Sequence, residues 1–148
     1  AYVSDDTGVV LGTLITDQPL ESLAAAAYDD VMVASMGACV TFNGVVRNHD
    51  GGQRVRSLSY TSHPTAEAIM ATVADKVLDR HPDVRIWAAH RIGGIAIGEA
   101  AFVVHVASAH RDAAFRACSD MADTVKAEVP IWKEQLLESG DTQWVGLT

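Results

Sequence analysis

Residues 38–60 read ACVTFNGVVRNHDGGQRVRSLSY. The first half, Ala38–Asn48, is rich in Val, Thr and Phe, residue types that suit a pleated, half-buried surface, so a strand is expected there. Gly44 inside that strand marks either a bulge or a place where another backbone approaches closely. The tetrapeptide His49–Gly52, HDGG, is a strong turn signal. Val55–Tyr60 alternates again and is expected to complete a hairpin with the first strand.

Moving toward the N-terminus, Val9, Leu11, Thr13 and Ile15 alternate as in a strand, Pro19 ends it, and LESLAAAAYD over 20–29 favours a short helix. Moving toward the C-terminus, Pro64 suits a first helical position. Ile69, Val73 and Val77 recur every four residues, Met70 and Ala74 widen the stripe, and the helix should end near His81-Pro82. Arg85–His90 and Ala101–Ala107 read as strands, with Gly93, Gly94 and Gly98 as turn glycines between them. A second long helix follows Ser108–Arg111, with Phe115, Cys118, Ala122 and Val125 on one face, and Pro130 stops it. The remainder suggests a strand, a Gly140-Asp141 turn and a short strand around Trp144. These elements predict one domain over residues 1–148, of the α+β class, with a mixed, mainly antiparallel sheet packed with two longer helices.

A chain of 148 residues can bury a sizeable core without a disulfide or metal staple. Its formal net charge of −8 argues against a broad nucleic-acid surface. No apolar run approaches the ~20 residues of a membrane span. The opening AYVSDDTGVV carries no secretory signal, so a cytoplasmic location is expected, although Ala1 is no initiator and an upstream segment stays open. Cys39 and Cys118 sit among apolar neighbours and read as buried thiols in a reducing compartment; their spacing suggests no zinc site. His90 and His105, on predicted strands, read as satisfied sheet or core histidines. Trp87, Trp132 and Trp144 read as packing residues.

Three basic segments could carry chemistry. Arg47 ends an apolar strand beside a Gly-rich turn, where a guanidinium can fork toward a carboxylate or phosphate or simply be solvated. His110 and Arg111 precede an amphipathic helix, whose free N–H groups attract anions; alternatively Ser108 or Asp112 only caps that helix. Lys126 and Lys133, two of three lysines, flank Pro130. Lys126 abuts the apolar face ending at Val125, which should partly desolvate its ammonium and suit it to proton acceptance; otherwise it merely complements the helix dipole.

Taken in order, TFNGVVRNHDGG (41–52), PTAEAI (64–69), HRIGGIAIGE (90–99), VASAHRDAAF (106–115) and KAEVPIWKE (126–134) resemble the large, catalytic subunit of molybdopterin synthase. The resemblance spans about residues 37–134 and implies an α/β hammerhead-type fold. It also implies a homodimer within a heterotetramer, a small ubiquitin-like sulfur-carrier subunit sitting at each end with a C-terminal Gly-Gly thiocarboxylate. The implied substrate is cyclic pyranopterin monophosphate (precursor Z), which receives two sulfurs to form the molybdopterin dithiolene. On this resemblance Lys126 and Lys133 are catalytic, and Phe42, Arg47, His110 and Arg111 bind substrate, the last two across the dimer. No metal or organic cofactor is implied. Two departures stand out: Ala122 is small where relatives can carry Met, and a basic residue found near the end of some relatives has no match by Thr148. The competing expectations are a non-catalytic docking module for a ubiquitin-like partner, and a small hydrolase using Ser108 near His110.

Overall fold

The computed structural model describes residues 7–146; the reading of the first six residues and of the last two lies outside them. Twelve elements follow in order: β1 (Val9–Thr16), α1 (Leu20–Val31), β2 (Ala38–Val45), β3 (His49–Asp50), β4 (Gln53–Ser62), α2 (Ala66–Arg80), β5 (Val84–Arg91), β6 (Gly93–Ile95), β7 (Ala100–Ser108), α3 (Arg111–Glu128), β8 (Ile131–Leu137) and β9 (Thr142–Val145).

They form two sheets. The larger runs β1-β5-β7-β2, with β1 parallel to β5 and the other pairs antiparallel. Alternation along β5 and β7 supplies both of its faces. Ile86, Ala88, Val104 and Val106 point to α2 and α3, whose Met70, Val73, Ala117 and Met121 complete one core. Trp87, Ala89, Val103 and Ala107 point the other way, onto Leu20, Ala27 and Val31 of α1. Arg85 is buried and ties α1 down: its Nε donates to the Val31 carbonyl at 2.9 Å and its Nη2 to that of Asp30 at 2.7 Å. The second sheet runs β3-β4-β8-β9, with β6 added alongside β4. The α+β class and the mixed, mainly antiparallel sheet under two longer helices agree with the sequence reading.

Several local expectations change. The turn at Gly51 and Gly52 joins only His49–Asp50 to Gln53–Arg54, while Ala38–Val45 pairs with β7 in the other sheet. The hairpin is therefore split between sheets, because β2 gains more by burying Val40 and Cys39 against the helical layers than by following its turn. Gly93–Ile95 is a strand on β4 rather than a turn. Helix α2 begins after His63-Pro64-Thr65, which form their own turn through Ala66 N–H to the His63 carbonyl at 2.9 Å. The buried face of α3 is Ala114, Ala117, Cys118, Met121 and Val125, so Phe115 is left exposed. Cys39 is half-buried and Cys118 buried, and both are free. Trp87 is buried and packs on His105, but Trp132 and Trp144 are exposed. No helix among the described residues is long and apolar enough to cross a membrane.

Helices α2 and α3 are also linked by charge. Asp120 accepts from Arg80 Nε and Nη2, each at 2.8 Å, from Thr124 Oγ1 at 3.0 Å, and faces His81 Nε2 at 3.0 Å. The Arg80 pair, with Thr124 and His81, holds the Asp120 carboxyl well down, at about 2. A depressed folded value means this stabilisation is present above the unfolded value of ~3.9 and is lost as pH falls toward 2. Asp120→Asn is expected to lower stability at pH 7 by about 1 kcal/mol, the partial exposure of Arg80 discounting the pair. Melting curves of both proteins at pH 7 and near pH 2 check this: the gap should close at the acid end, and a constant gap contradicts the assignment.

Candidate active site

The site lies where the C-terminal end of α3 meets both sheets. Its floor is a cross-strand row. His90 on β5 is in register with Phe102 on β7, and Phe102 with Gly44 on β2. Residues opposite one another on neighbouring strands share a face, so these three lie side by side. The His90 and Phe102 rings stack at 5.4 Å and 25°, and Phe42 meets Phe102 edge-on at 5.8 Å. Of the two readings of Gly44, the bulge is found, while the closest neighbour is a side chain rather than another backbone. The β2–β7 register shifts between Gly44 and Val45, and a Cβ there would come within 3.1 Å of the Phe42 ring. Tyr60 on β4 closes the row from the second sheet, edge-on to His90 at 4.9 Å.

Above this floor is a cavity of about 470 Å³, lined by Phe42, Tyr60, His90, Phe102, Lys126 and Lys133 among others. Both lysines arrive by a short path. The N–H of Val129 donates to the Val125 carbonyl at 3.0 Å, Pro130 forbids another helical turn, and the chain leaves directly as β8. Lys133 then stands opposite Tyr60 in the β4–β8 ladder, so both side chains face the cavity. Lys126 is exposed at the mouth, so the desolvation expected from Val125 is not found: Val125 itself is buried, while the next position turns outward to solvent. Ala122, one turn earlier, also lines the cavity, so its small side chain leaves room there.

Asp50 organises the cationic side. Its carboxylate accepts from Gln135 Nε2 at 2.8 Å and Lys133 Nζ at 3.4 Å, and pairs with Arg47 at 3.5 Å. The Gln135 hydrogen bond and then the Lys133 charge hold the Asp50 carboxyl below its ordinary value. Gln135 is buried and is itself fixed by Gln143 Oε1 at 2.8 Å. Arg47 is mostly exposed and lies beside the cavity, joined to Lys133 through Asp50.

The structure thus brings together Phe42, Lys126, Lys133 and, through Asp50, Arg47. It does not bring His110 and Arg111 to them within one chain. His110 caps the start of the 18-residue α3 without a side-chain cap bond, and Arg111 opens it. At about 1.5 Å per residue, Arg111 and Lys126 are separated by roughly 22 Å along the helix axis. Neither Ser108 nor Asp112 caps that helix. Asp112 pairs with Arg116 at 2.8 Å, and Ser108 is buried with its hydroxyl donating to the Asp83 carbonyl at 3.4 Å, which removes it as an accessible nucleophile. His105 is satisfied, as expected, by Thr41 Oγ1 at 2.7 Å and the Ala24 carbonyl at 2.8 Å. His90 and Tyr60 are the cavity residues that pattern reading missed: each sits in an ordinary alternating strand, and only the meeting of two sheets gives them a shared cavity.

Comparisons agree with this architecture. A family model described as MoaE protein matches residues 15–128. The molybdopterin synthase catalytic subunit of Thermoplasma volcanium is 41% identical over 109 residues, covering 73% of this chain and 80% of that protein. The crystal structure of molybdopterin synthase from Staphylococcus aureus superposes with a TM-score of 0.78 at 28% identity, covering 97% of this chain and 98% of the other. A chain of the complex of subunits 1 and 2 of molybdopterin-converting factor from Helicobacter pylori shares the fold, with a TM-score of 0.70 at 22% identity, covering 92% and 89%. Together with the ordered motifs and the lysine-rimmed cavity, these matches establish that the chain belongs to the MoaE protein family, alongside relatives named molybdopterin synthase catalytic subunit.

Proposed function

We propose that this chain is the catalytic subunit that transfers sulfur from the thiocarboxylated C-terminus of a small ubiquitin-like carrier to cyclic pyranopterin monophosphate, forming the molybdopterin dithiolene. The observation that carries the reading is the cavity itself: an aromatic floor under two lysines, in a molecule of net charge −8. Both reactants are anions, and an acidic protein can hold them only where it concentrates cations. Lys126 transfers a proton and stabilises charge as sulfur attacks the pterin. Lys133 and Arg47, pre-oriented by Asp50, grip the thiocarboxylate and the intermediate. Phe42 packs against the bound ring. The sulfur comes with the carrier, so the reading needs no metal or organic cofactor.

The partner reading draws support from the H. pylori structure, in which a chain of this fold is complexed with a second subunit. We further propose a homodimer in which His110 and Arg111 of each chain serve the neighbour's cavity, their distance from Lys126 in their own chain being the reason; the whole of residues 1–148 acts as one domain.

The test is reconstitution. The chain, a thiocarboxylated carrier and cyclic pyranopterin monophosphate should yield molybdopterin. A chain that binds the carrier but makes no product and binds no pterin would instead be a docking module.

A further inference from the structure

We propose that His90 is a substrate-reading residue: its Nε2 is a neutral hydrogen-bond acceptor, on the cavity floor, for an N–H group of the fused-ring heterocycle. The inference rests on the reading of the cavity as a pterin site and deepens it.

The tautomer follows from the partner. His90 Nδ1 lies 2.8 Å from the Arg91 carbonyl oxygen, which can only accept, so Nδ1 carries the hydrogen and Nε2 keeps its lone pair. Nε2 makes no hydrogen bond to the protein among the described residues. Among the described residues, the buried side-chain nitrogens lacking a hydrogen-bond partner are Nε and Nη1 of Arg91, so the unbonded Nε2 of His90 must reach the cavity surface that the residue lines. Burial keeps the imidazole uncharged, at about 4, so the acceptor persists at neutral pH. The ring cannot swing away, since Phe102 stacks on it and Tyr60 stands edge-on to it.

The chemistry divides the cavity in two. The rim carries Lys126 and Lys133 beside one lining carboxylate, Asp123, and its ammonium groups suit phosphate and thiocarboxylate. The floor is neutral and aromatic, and Tyr60 is also kept protonated there, by burial and by the nearby Asp50 charge. A lone pair on that floor repels an anion and attracts a ring N–H. It therefore orients the heterocycle while leaving the anions to the lysines. An acceptor that the bound ring covers discriminates strongly, because a ring without the matching donor buries it unpaired.

Two replacements separate this role from packing. In His90→Asn the amide can still donate to the Arg91 carbonyl but supplies nothing at the Nε2 position. In His90→Gln the longer amide can place its oxygen near that position. With the complete carrier complex, His90→Asn is expected to raise KM for cyclic pyranopterin monophosphate at least about tenfold, with KM for the thiocarboxylated carrier unchanged; His90→Gln is expected to recover most of that loss. Calorimetric titration of the pterin without carrier should follow the same order, while melting curves report packing separately. Wild-type pterin affinity in His90→Asn, or equal loss in both variants, overturns the proposal. Because this titration needs no turnover, the His90 assignment can fail while reconstitution still yields product. The converse also holds, so the two failures are distinguishable.

Discussion

Lys126→Ala is expected to reduce molybdopterin formation by at least about 10²–10³-fold while leaving the fold intact. The size of the effect follows from what the side chain does. Lys126 stands at the mouth of the cavity on the last turn of α3, and Lys133 is the other lysine lining it. Lys133 is engaged by Asp50, whereas Lys126 forms no ion pair among the described residues, so removing it takes away the ammonium available to developing charge. Stability should change by no more than about 0.5 kcal/mol, because the side chain is exposed and contributes little to the core. Product formation at saturating carrier and pterin, together with carrier affinity, checks the prediction. Carrier binding should survive, and near-normal turnover would remove Lys126 from the mechanism. Lys126→Arg keeps the charge but not a readily transferable proton. It should therefore keep carrier binding, as Lys126→Ala does, and recover only part of the rate.

Met121→Ala is expected to cost about 2–5 kcal/mol of stability. Met121 is fully buried where α3 meets α2 and the large sheet, in one cluster with Met70, Ile86 and Val104. Rigid strands below and a second helix alongside limit how far the void can collapse, so both the lost apolar transfer and the cavity contribute. For a domain of this length a loss of this size lowers the melting temperature by roughly 5–15 °C. A drop under about 1 °C would mean that α3 repacks freely. The same helix carries Val125 and Lys126, so activity should fall in proportion to the unfolded fraction at assay temperature and recover on cooling. That recovery distinguishes a packing defect from the loss of a catalytic group.

The class of the fold and the helix-to-strand reversal at Pro130 were legible from local pattern. Pro130 between two lysines announced a helix-to-strand reversal, and this is what brings Lys126 and Lys133 to one cavity. The glycine in TFNGVV announced the bulge at Gly44–Val45, although the group packed closest against it is the Phe42 ring and not another backbone. Both are short-range effects, written in residues a few positions apart. The direction of β2 was not legible. Its turn signal is local, whereas its partner β7 lies dozens of residues away, and burial on the large sheet prevails over the hairpin.

By itself, then, the sequence determined the alternation of strands and helices, the scarcity of lysines and the Pro130 reversal that two of them flank. Only the tertiary structure decided which strand lies beside which, and so which alternating residues share a face. That pairing turns His90 and Tyr60 from unremarkable strand residues into a cavity floor, and holds His110 and Arg111 a helix length from the lysines of their own chain. The physical reason is that periodicity records whether a residue is turned inward, while the identity of what it meets there depends on contacts between segments far apart in the chain.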